Sequence, residues 1–96
     1  CPWEYGNINV LGLPATIDRD IPSVGPTIGF DTAINTALQA IDRIRDTAST
    51  SNTVHIIELM GRNCGWISLF AGIGGGAEAV ILPEFPTDIK KLALQI

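Results

Sequence analysis

The sequence has few basic residues and no long apolar run, and each shortage excludes a class of protein. Six Lys and Arg residues stand against ten Asp and Glu residues, for a formal net charge of −4. Because no run of basic residues offers a surface for phosphate groups, we expect no nucleic acid partner. No apolar stretch approaches the roughly 18 residues of a membrane span, and the N-terminus lacks the features of a signal peptide. We therefore expect no membrane partner either.

Cysteine and methionine are also scarce, and their positions bear on cellular location and chain length. Cys1 and Cys64 lie far apart and match neither a zinc-binding spacing nor a CxxC motif, so a reducing, cytoplasmic location is expected. The only methionine is Met60, which leaves no initiator and predicts a truncated piece of a longer chain. With 46% apolar and 17% charged residues, residues 1–96 are expected to form a single partial domain.

Three short apolar segments predict strands, namely Ile8–Pro14, Val54–Met60 and Glu78–Pro83. They are rich in Ile, Val and Leu and bounded by turn residues, a pattern typical of strands buried on both faces of a parallel sheet. They alternate with helical patterns, so the expected fold class is α/β, with three layers in which helices flank a mostly parallel sheet. Three strands leave both sheet edges unpaired, so we expect this sheet to be incomplete.

Helical periodicity appears between these segments. A stripe of apolar residues at spacings of three and four predicts a helix from about Ile28 to Thr47, followed by a polar loop. A second helix is predicted to start at Trp66 and to end in glycines, and a third to start after Thr87 as N-cap. The predicted stripe of the first helix comprises Phe30, Ile34, Ala37, Leu38, Ile41 and Ile44. Residues 1–7 are expected to be an irregular lead-in.

The loop over residues 14–26 combines a hydroxyl with two carboxylates. Thr16, Asp18 and Asp20 occupy alternate positions, which in extended backbone place side chains on the same side. One aspartate could accept a proton from a substrate hydroxyl, and the other could hold a metal ion. The alternative is structural, since aspartates ahead of Pro22 commonly form Asx turns. The local pattern leaves both open.

The loop over residues 61–65 is the second chemical candidate. Gly61 lets backbone N–H groups approach an anion, and Arg62 adds charge and a forked donor geometry. The alternative is a surface arginine on a glycine turn. We interpret Cys64 as a small buried apolar residue. We interpret His55 as a structural histidine among apolar neighbours. In an α/β sheet both loops, with the turn after Pro83, would meet at the carboxyl ends of the strands.

Taken together, these motifs resemble the phosphofructokinase family. The carrying motifs are PATIDRDI, TIGFDTA, MGRNCG and GGAE, and the likeness extends without a gap from about Ile8 to Pro86. The combination is highly specific, and it points to the bacterial ATP-dependent type of 6-phosphofructokinase. It corresponds to the middle of such an enzyme's chain, without the glycine-rich ATP-binding loop. The resemblance implies ATP and fructose 6-phosphate as substrates, Mg²⁺ as cofactor and a homo-oligomer, a tetramer in relatives.

The resemblance also implies roles for particular residues. Asp18 corresponds to the general base that takes the proton from the 1-hydroxyl of fructose 6-phosphate as its oxygen attacks the γ-phosphate. Thr16 and Asp20 correspond to contacts with the substrate and transition state, with Asp20 linked to Mg²⁺. The segment that holds the sugar phosphate corresponds to Met60, Gly61 and Arg62. An effector site at subunit contacts corresponds to Arg45, Gly76 and Glu78.

Three positions depart from the family pattern. Arg19 replaces the usual Asn between the aspartates, and a cation there would neutralise the pair or weaken Asp18 as a base. Thr53 replaces an arginine that reaches the neighbouring subunit's sugar phosphate. Ala15 stands where pyrophosphate-using relatives commonly have lysine, which favours ATP as donor.

The expected activity is phosphoryl transfer from ATP to fructose 6-phosphate, the step that gives fructose 1,6-bisphosphate in glycolysis. The enzyme that performs it is expected to be allosteric. The isolated segment is expected to be inactive. Two alternatives remain, a pyrophosphate-dependent enzyme and a non-catalytic regulatory or assembly segment. Arg19 and Thr53 favour the second alternative, whereas the retained Asp18 and Arg62 oppose it.

Overall fold

Three helices make up the regular structure of the part of the chain that the computed structural model describes, residues 8–94 and 96. They are α1 (Phe30–Ser51), α2 (Trp66–Gly75) and α3 (Ile89–Ala93). The predicted lead-in over residues 1–7, Cys1 included, lies outside the described residues. Within those residues, no helix is both long enough and apolar enough to cross a membrane.

The predicted α/β fold with a mostly parallel sheet is wrong, because the described residues contain no strand and no sheet. The segments over residues 8–14, 54–60 and 78–83 are not helical either, and much of their apolar surface faces solvent. Val54 is 67% and Ile56 94% exposed. A strand satisfies its N–H and C=O groups only through a neighbouring strand, and β-branched composition does not supply that neighbour.

Helix α1 is longer than its apolar periodicity predicts. The predicted end at Thr47 and the predicted polar loop after it are wrong, since the helix continues to Ser51. The hydroxyls of Thr50 and Ser51 donate to the carbonyl oxygen of Thr47 at 2.9 and 2.8 Å. These short polar side chains therefore form their hydrogen bonds within the last turn of the helix. Asn52 then ends the helix in a left-handed conformation with φ 51°.

The core lies between α1 and α2 and is small. Its buried members are Ala37 and Ile41 from α1 and Ala71 from α2, with the partly buried Leu59 packed against them. The apolar stripe predicted for α1 is confirmed, since Phe30, Ala37 and Ile41 are its buried residues and Ile34, Leu38 and Ile44 are half-buried. Small side chains on α2 allow close helix packing and place the N-termini of α1 and α2 near the loops described below.

Helix α3 is short and begins one residue later than predicted. Asp88, not Thr87, is its N-cap, and its carboxylate accepts hydrogen bonds from the N–H groups of Lys90 and Lys91 at 3.0 and 3.2 Å. A carboxylate is the stronger partner here because it also complements the positive end of the helix dipole.

Candidate functional site

Three loops converge at the N-terminal ends of α1 and α2. The Sγ atom of Cys64 lies 4.0 Å from the carbonyl oxygen of Arg19 and joins the second loop to the first. The N–H of Gly65 donates to Oε1 of Glu84 at 2.7 Å and joins the second loop to the turn after Pro83. Between the first two loops lies an open cleft of about 360 Å³. Its lining is Arg19, Asp20, Ile21, Pro22, Val24, Cys64 and Trp66.

The hydroxyl of Thr16 organises the first loop. Its Oγ1 accepts a hydrogen bond from the N–H of Asp18 at 3.2 Å and donates to Oδ1 of Asp20 at 3.5 Å. The turn is therefore closed by the threonine and not by an Asx turn of either aspartate. The second contact is long, so it orients the Asp20 carboxylate only weakly. The hydroxyl and the two aspartates share one short turn, but its backbone is not the extended one that the same-side prediction assumes, since Arg19 has φ 54°.

Asp18 keeps one oxygen unpaired. Its Oδ1 atom is shielded from solvent yet has no hydrogen-bond partner in the described part of the chain, a property that it shares there only with Oγ1 of Thr27. A shielded polar atom without a partner is costly, and native structures contain few of them. An unpaired carboxylate oxygen keeps a free lone pair with which it can accept a proton once a hydroxyl reaches it.

The guanidinium of Arg19 lies against aromatic rings. Its guanidinium lies over the ring of Phe30, 5.4 Å from the centroid, and over the ring of Trp66, 5.5 Å from the centroid. Trp66, at the start of α2, is 41% exposed. The aromatic faces fix where this guanidinium lies, and its effect on Asp18 as a base stays a prediction.

The second loop is a tight turn built on Gly61. The N–H of Cys64 donates to the carbonyl oxygen of Gly61 at 2.8 Å. Gly61 has φ 147°, and a Cβ there would collide with the carbonyl oxygen of Cys64, so only glycine fits. Met60 and Arg62 are exposed, and Arg62 adopts a left-handed φ of 51°. Among the described residues, no hydrogen bond joins Arg62 to Asp18 or Asp20.

Glu84 is a contributor that sequence reasoning missed. The loop over residues 61–65 was expected to present backbone N–H groups to an anion, but the N–H of Gly65 already binds the Glu84 carboxylate. That carboxylate therefore occupies the N-terminal end of α2, where an anionic ligand would otherwise find its donor. No local spacing relates residues nineteen positions apart, and the likeness from about Ile8 to Pro86 covers Glu84 without giving it a role.

Two of the three residues assigned to an effector site meet at the other end of α2. The Nη1 atom of Arg45 donates to the carbonyl oxygen of Gly75 at 2.8 Å. A Cβ on Gly76 would lie only 2.7 Å from the same Nη1 atom. Glu78 follows in exposed chain. A cation at the C-terminal end of α2 also complements the helix dipole, which gives Arg45 a structural role as well.

His55 lies in an exposed, non-helical segment and not in a buried strand. Its side chain is exposed, and Nε2 lies 2.9 Å from Oγ1 of Thr53. Thr53 Oγ1 lies in turn 2.6 Å from Oγ of Ser51. These three polar side chains form a short surface chain of hydrogen bonds away from the first loop.

The donor atoms suit a magnesium ion only in part. The described residues contain no group of three or more His, Cys, Asp or Glu side chains that could enclose a metal ion. Mg²⁺, however, is usually held by one or two carboxylates together with phosphate oxygens of a substrate. The carboxylates of Asp18 and Asp20 in one turn match that smaller set, and the unpaired Oδ1 of Asp18 leaves donor capacity unused.

Comparisons with known proteins agree on one family. The family model described as phosphofructokinase matches residues 3–96. The chain is 54% identical over 93 residues to the ATP-dependent 6-phosphofructokinase of Thermoanaerobacter sp. (strain X514), a match that covers 97% of this chain and 29% of that protein. It is 53% identical over 88 residues to the enzyme of the same name from Lacticaseibacillus casei (strain BL23), covering 92% of this chain and 28% of that protein.

A third relative, the ATP-dependent 6-phosphofructokinase of Natranaerobius thermophilus, is 53% identical over 83 residues, which is 86% of this chain and 26% of that protein. The chain thus spans less than a third of the length of these relatives. The first loop, the tight turn at Gly61 and the end of α2 all lie inside the matched range of residues 3–96. The chain therefore belongs to the phosphofructokinase family.

Proposed function

We propose that this chain is a partial domain, the central segment of an ATP-dependent 6-phosphofructokinase, and that it carries the catalytic base. The reaction would transfer the γ-phosphoryl group of ATP to the 1-hydroxyl of fructose 6-phosphate. Support comes from the family and from relatives that are named for this activity. The single observation that carries the proposal is the shielded, unpaired Oδ1 of Asp18, in the loop whose next two residues, Arg19 and Asp20, line the cleft.

Asp18 would act by accepting the proton of the attacking hydroxyl. A base must lie within hydrogen-bond reach of the proton that it removes and must have a free lone pair for it. Asp18 Oδ1 has that capacity because no donor in the described residues occupies it. The N–H of Asp18, bonded to Thr16 Oγ1 at 3.2 Å, holds the backbone of the base in place.

Thr16 and Asp20 would complete the acidic side of the site. The Thr16 hydroxyl lies between the two aspartates and can orient a substrate hydroxyl in the same way. Asp20 lines the cleft and would hold Mg²⁺ together with phosphate oxygens of the substrate. When bound, this ion would neutralise the charge that develops on the transferred phosphoryl group.

Met60, Gly61 and Arg62 would hold the sugar phosphate. The left-handed backbone of Arg62 is an uncommon conformation for a residue with a Cβ, and such conformations cluster at ligand-binding sites. An exposed guanidinium can bind a phosphate group through two parallel hydrogen bonds. Because phosphoryl transfer depends mainly on positioning and charge stabilisation, Arg62 would contribute through both.

ATP is the donor that this proposal favours. Ala15 is exposed and small, and it leaves space in front of Thr16 where a lysine side chain would intrude. The relatives described above are all named ATP-dependent. Assays of the same preparation with ATP and with pyrophosphate separate the two donors directly.

An effector site and a homo-oligomeric assembly belong to the same proposal. The contact of Arg45 with Gly75 and Gly76 supports an effector site, because it leaves a fixed guanidinium at an exposed helix end where an anion can bind. Glu78 would line that site. The free thiol of Cys64 is compatible with the reducing cytoplasm in which we place the enzyme.

The test is Asp18→Ser in the full-length protein that contains this segment. We expect kcat to fall about 10²–10⁴-fold, because a positioned base contributes on that order. KM for fructose 6-phosphate should change little, and the free energy of unfolding should not fall, since the variant loses a shielded oxygen that lacks a partner. Initial rates with a coupled assay and thermal unfolding of both proteins provide the two readouts.

Asp42→Ser is the matched control, because Asp42 is an exposed aspartate on α1, remote from the first loop, and its loss should leave kcat unchanged. A near-parental kcat for Asp18→Ser would reject Asp18 as the base. A parent with no activity toward fructose 6-phosphate with either donor would favour the non-catalytic alternative. The isolated 96-residue chain should be inactive in the same assay.

A further inference from the structure

The backbone of Arg19 adopts a conformation that arginine disfavours. Its φ is 54°, in the left-handed region, where a Cβ crowds the backbone and where Asn and Gly are tolerated best. The residue lies between Asp18 and Asp20, so this turn sets the direction in which both carboxylates leave the chain. Some other interaction must compensate for the strain if the turn is to persist.

That interaction is an aromatic clamp, formed by the rings of Phe30 and Trp66, which both contact the guanidinium. The ring centroids lie 5.4 and 5.5 Å from the Arg19 Cζ atom. Phe30 is the first residue of α1 and is 5% exposed, and Trp66 is the first residue of α2. Phe70 braces both rings, edge-on to Phe30 at 5.8 Å and tilted against Trp66 at 5.9 Å.

The aromatic rings of the clamp, and not the helix ends, attract the guanidinium. A cation at the N-terminal ends of two helices opposes their dipoles, so the helix ends themselves do not attract it. The faces of aromatic rings do attract a guanidinium, which also stacks on them in a planar fashion that lysine cannot reproduce. The Arg19 carbonyl oxygen, 4.0 Å from Cys64 Sγ, adds a contact to the second loop.

We propose that Arg19 is a positioning residue whose stacking on Phe30 and Trp66 holds the left-handed turn that sets the directions of the Asp18 carboxylate and of the cleft-lining Asp20 carboxylate. The residue acts through Asp18 and needs no contact with substrate. This inference rests on the proposed function, because Asp18 is the base only if that function is right. An asparagine at position 19 would adopt the same turn through its intrinsic preference and would need no clamp.

The experiment compares Arg19→Val and Arg19→Asn in the full-length protein that contains this segment. Valine has no guanidinium and strongly disfavours a left-handed φ. We expect Arg19→Val to lower kcat by up to about 100-fold with little change in KM, since misplacing a catalytic group by about 1 Å has that effect. Arg19→Asn should restore most of the kcat. Arg43→Val is the control, because Arg43 is an exposed arginine on α1 and its loss should leave kcat unchanged.

Trp66 reports the clamp independently of activity. Both Arg19 variants should change the indole emission of Trp66, because both remove the guanidinium over its ring. The same substitutions in a Trp66→Phe background should produce no such change. This comparison separates the contact from any effect on Trp3.

Each outcome bears on one claim. A parental kcat in Arg19→Val, or an Arg19→Asn variant as impaired as Arg19→Val, would overturn the positioning role. Unchanged Trp66 emission would overturn the clamp. An inactive parent would reject the proposed function together with the positioning role, and the emission experiment would then still report whether the clamp exists.

Discussion

At the scale of single residues, the first loop brings together side chains whose local energetics are unfavourable. Asp18 Oδ1 is shielded and unpaired, and Arg19 has a left-handed φ. Arg62 in the second loop has one as well. Unfavourable conformations and unpaired polar atoms persist where the surrounding structure holds them, and they are typical of binding sites. This clustering supports the assignment of chemistry to these two loops.

Thr27 offers a test of the cost of an unpaired polar atom. Its hydroxyl is buried, with 9% of the residue exposed, and has no hydrogen-bond partner in the described residues. We expect Thr27→Val to raise the free energy of unfolding by about 1 kcal/mol, because the variant buries no unsatisfied hydroxyl. Urea unfolding of parent and variant measures the change.

The control for this substitution is Thr36→Val. The Thr36 hydroxyl is exposed and donates to the carbonyl oxygen of Thr32 at 2.9 Å, so its removal should bring no gain. Equal unfolding midpoints for Thr27→Val and the parent would mean that the buried hydroxyl finds a partner in solution.

Close packing, and not the backbone angles, restricts position 65 to glycine. A Cβ at this position would lie 2.7 Å from Glu84 Oε2, 2.8 Å from Leu82 Cδ2 and 3.0 Å from Pro83 Cδ. Gly65→Ala should therefore destabilise the protein by about 1–3 kcal/mol, as overpacking does elsewhere. Gly12→Ala is the matched control, because nothing lies within 4 Å of its Cβ position. Similar thermal unfolding of the two variants would contradict the close packing at Gly65.

At the scale of elements, each helix depends on a partner at its ends. Asp88 caps α3, and Arg45 contacts the last carbonyl of α2. Glu84 supplies the acceptor at the start of α2. The two contacts of α2 join segments that are remote in sequence, so the ends of this helix are also where those segments become attached to one another. The two candidate loops are therefore held by the caps as much as by the small core.

Removal of the Glu84 carboxylate should loosen the start of α2. We expect Glu84→Ala to cost about 1 kcal/mol of stability and to speed hydrogen exchange of the Gly65 amide, which loses its acceptor. Glu84→Gln keeps an acceptor without the charge and should lie between parent and Glu84→Ala. Glu58→Ala is the control, since Glu58 is exposed. Unchanged exchange at Gly65 would contradict the cap.

At the scale of the whole molecule, the chain is extended and exposes much apolar surface. Its radius of gyration is 17.9 Å and its extents are 64 × 28 × 15 Å, whereas a compact chain of this length would have a radius of about 12–13 Å. Leu11 is 88%, Ile56 94% and Leu94 89% exposed. Exposed apolar surface of this extent favours association, and a net charge of −4 opposes it only weakly.

The isolated chain should therefore self-associate in solution. Light scattering coupled to size exclusion should give a mass that rises with concentration, and a dye that binds exposed apolar surface should fluoresce in its presence. Leu11→Lys and Ile56→Lys should reduce the association and leave the helix content by circular dichroism unchanged. Ile41→Lys should instead remove helix content, because Ile41 is a buried core residue. A monomeric parent at all concentrations would contradict this prediction.

The sequence by itself determined helices α1 and α2 and the family, whereas the tertiary structure decided that the apolar segments form no sheet in the described residues and set the surroundings of the candidate residues. Helices α1 and α2 could be predicted because a helix closes its hydrogen bonds within its own segment and needs only one apolar face. Whether the three apolar segments form strands could not be predicted, because a strand needs a neighbour that no local pattern specifies. Likewise, the motif around Asp18 identifies the loop, whereas the clamp on Arg19 and the cap from Glu84 arise from contacts between segments far apart in the chain.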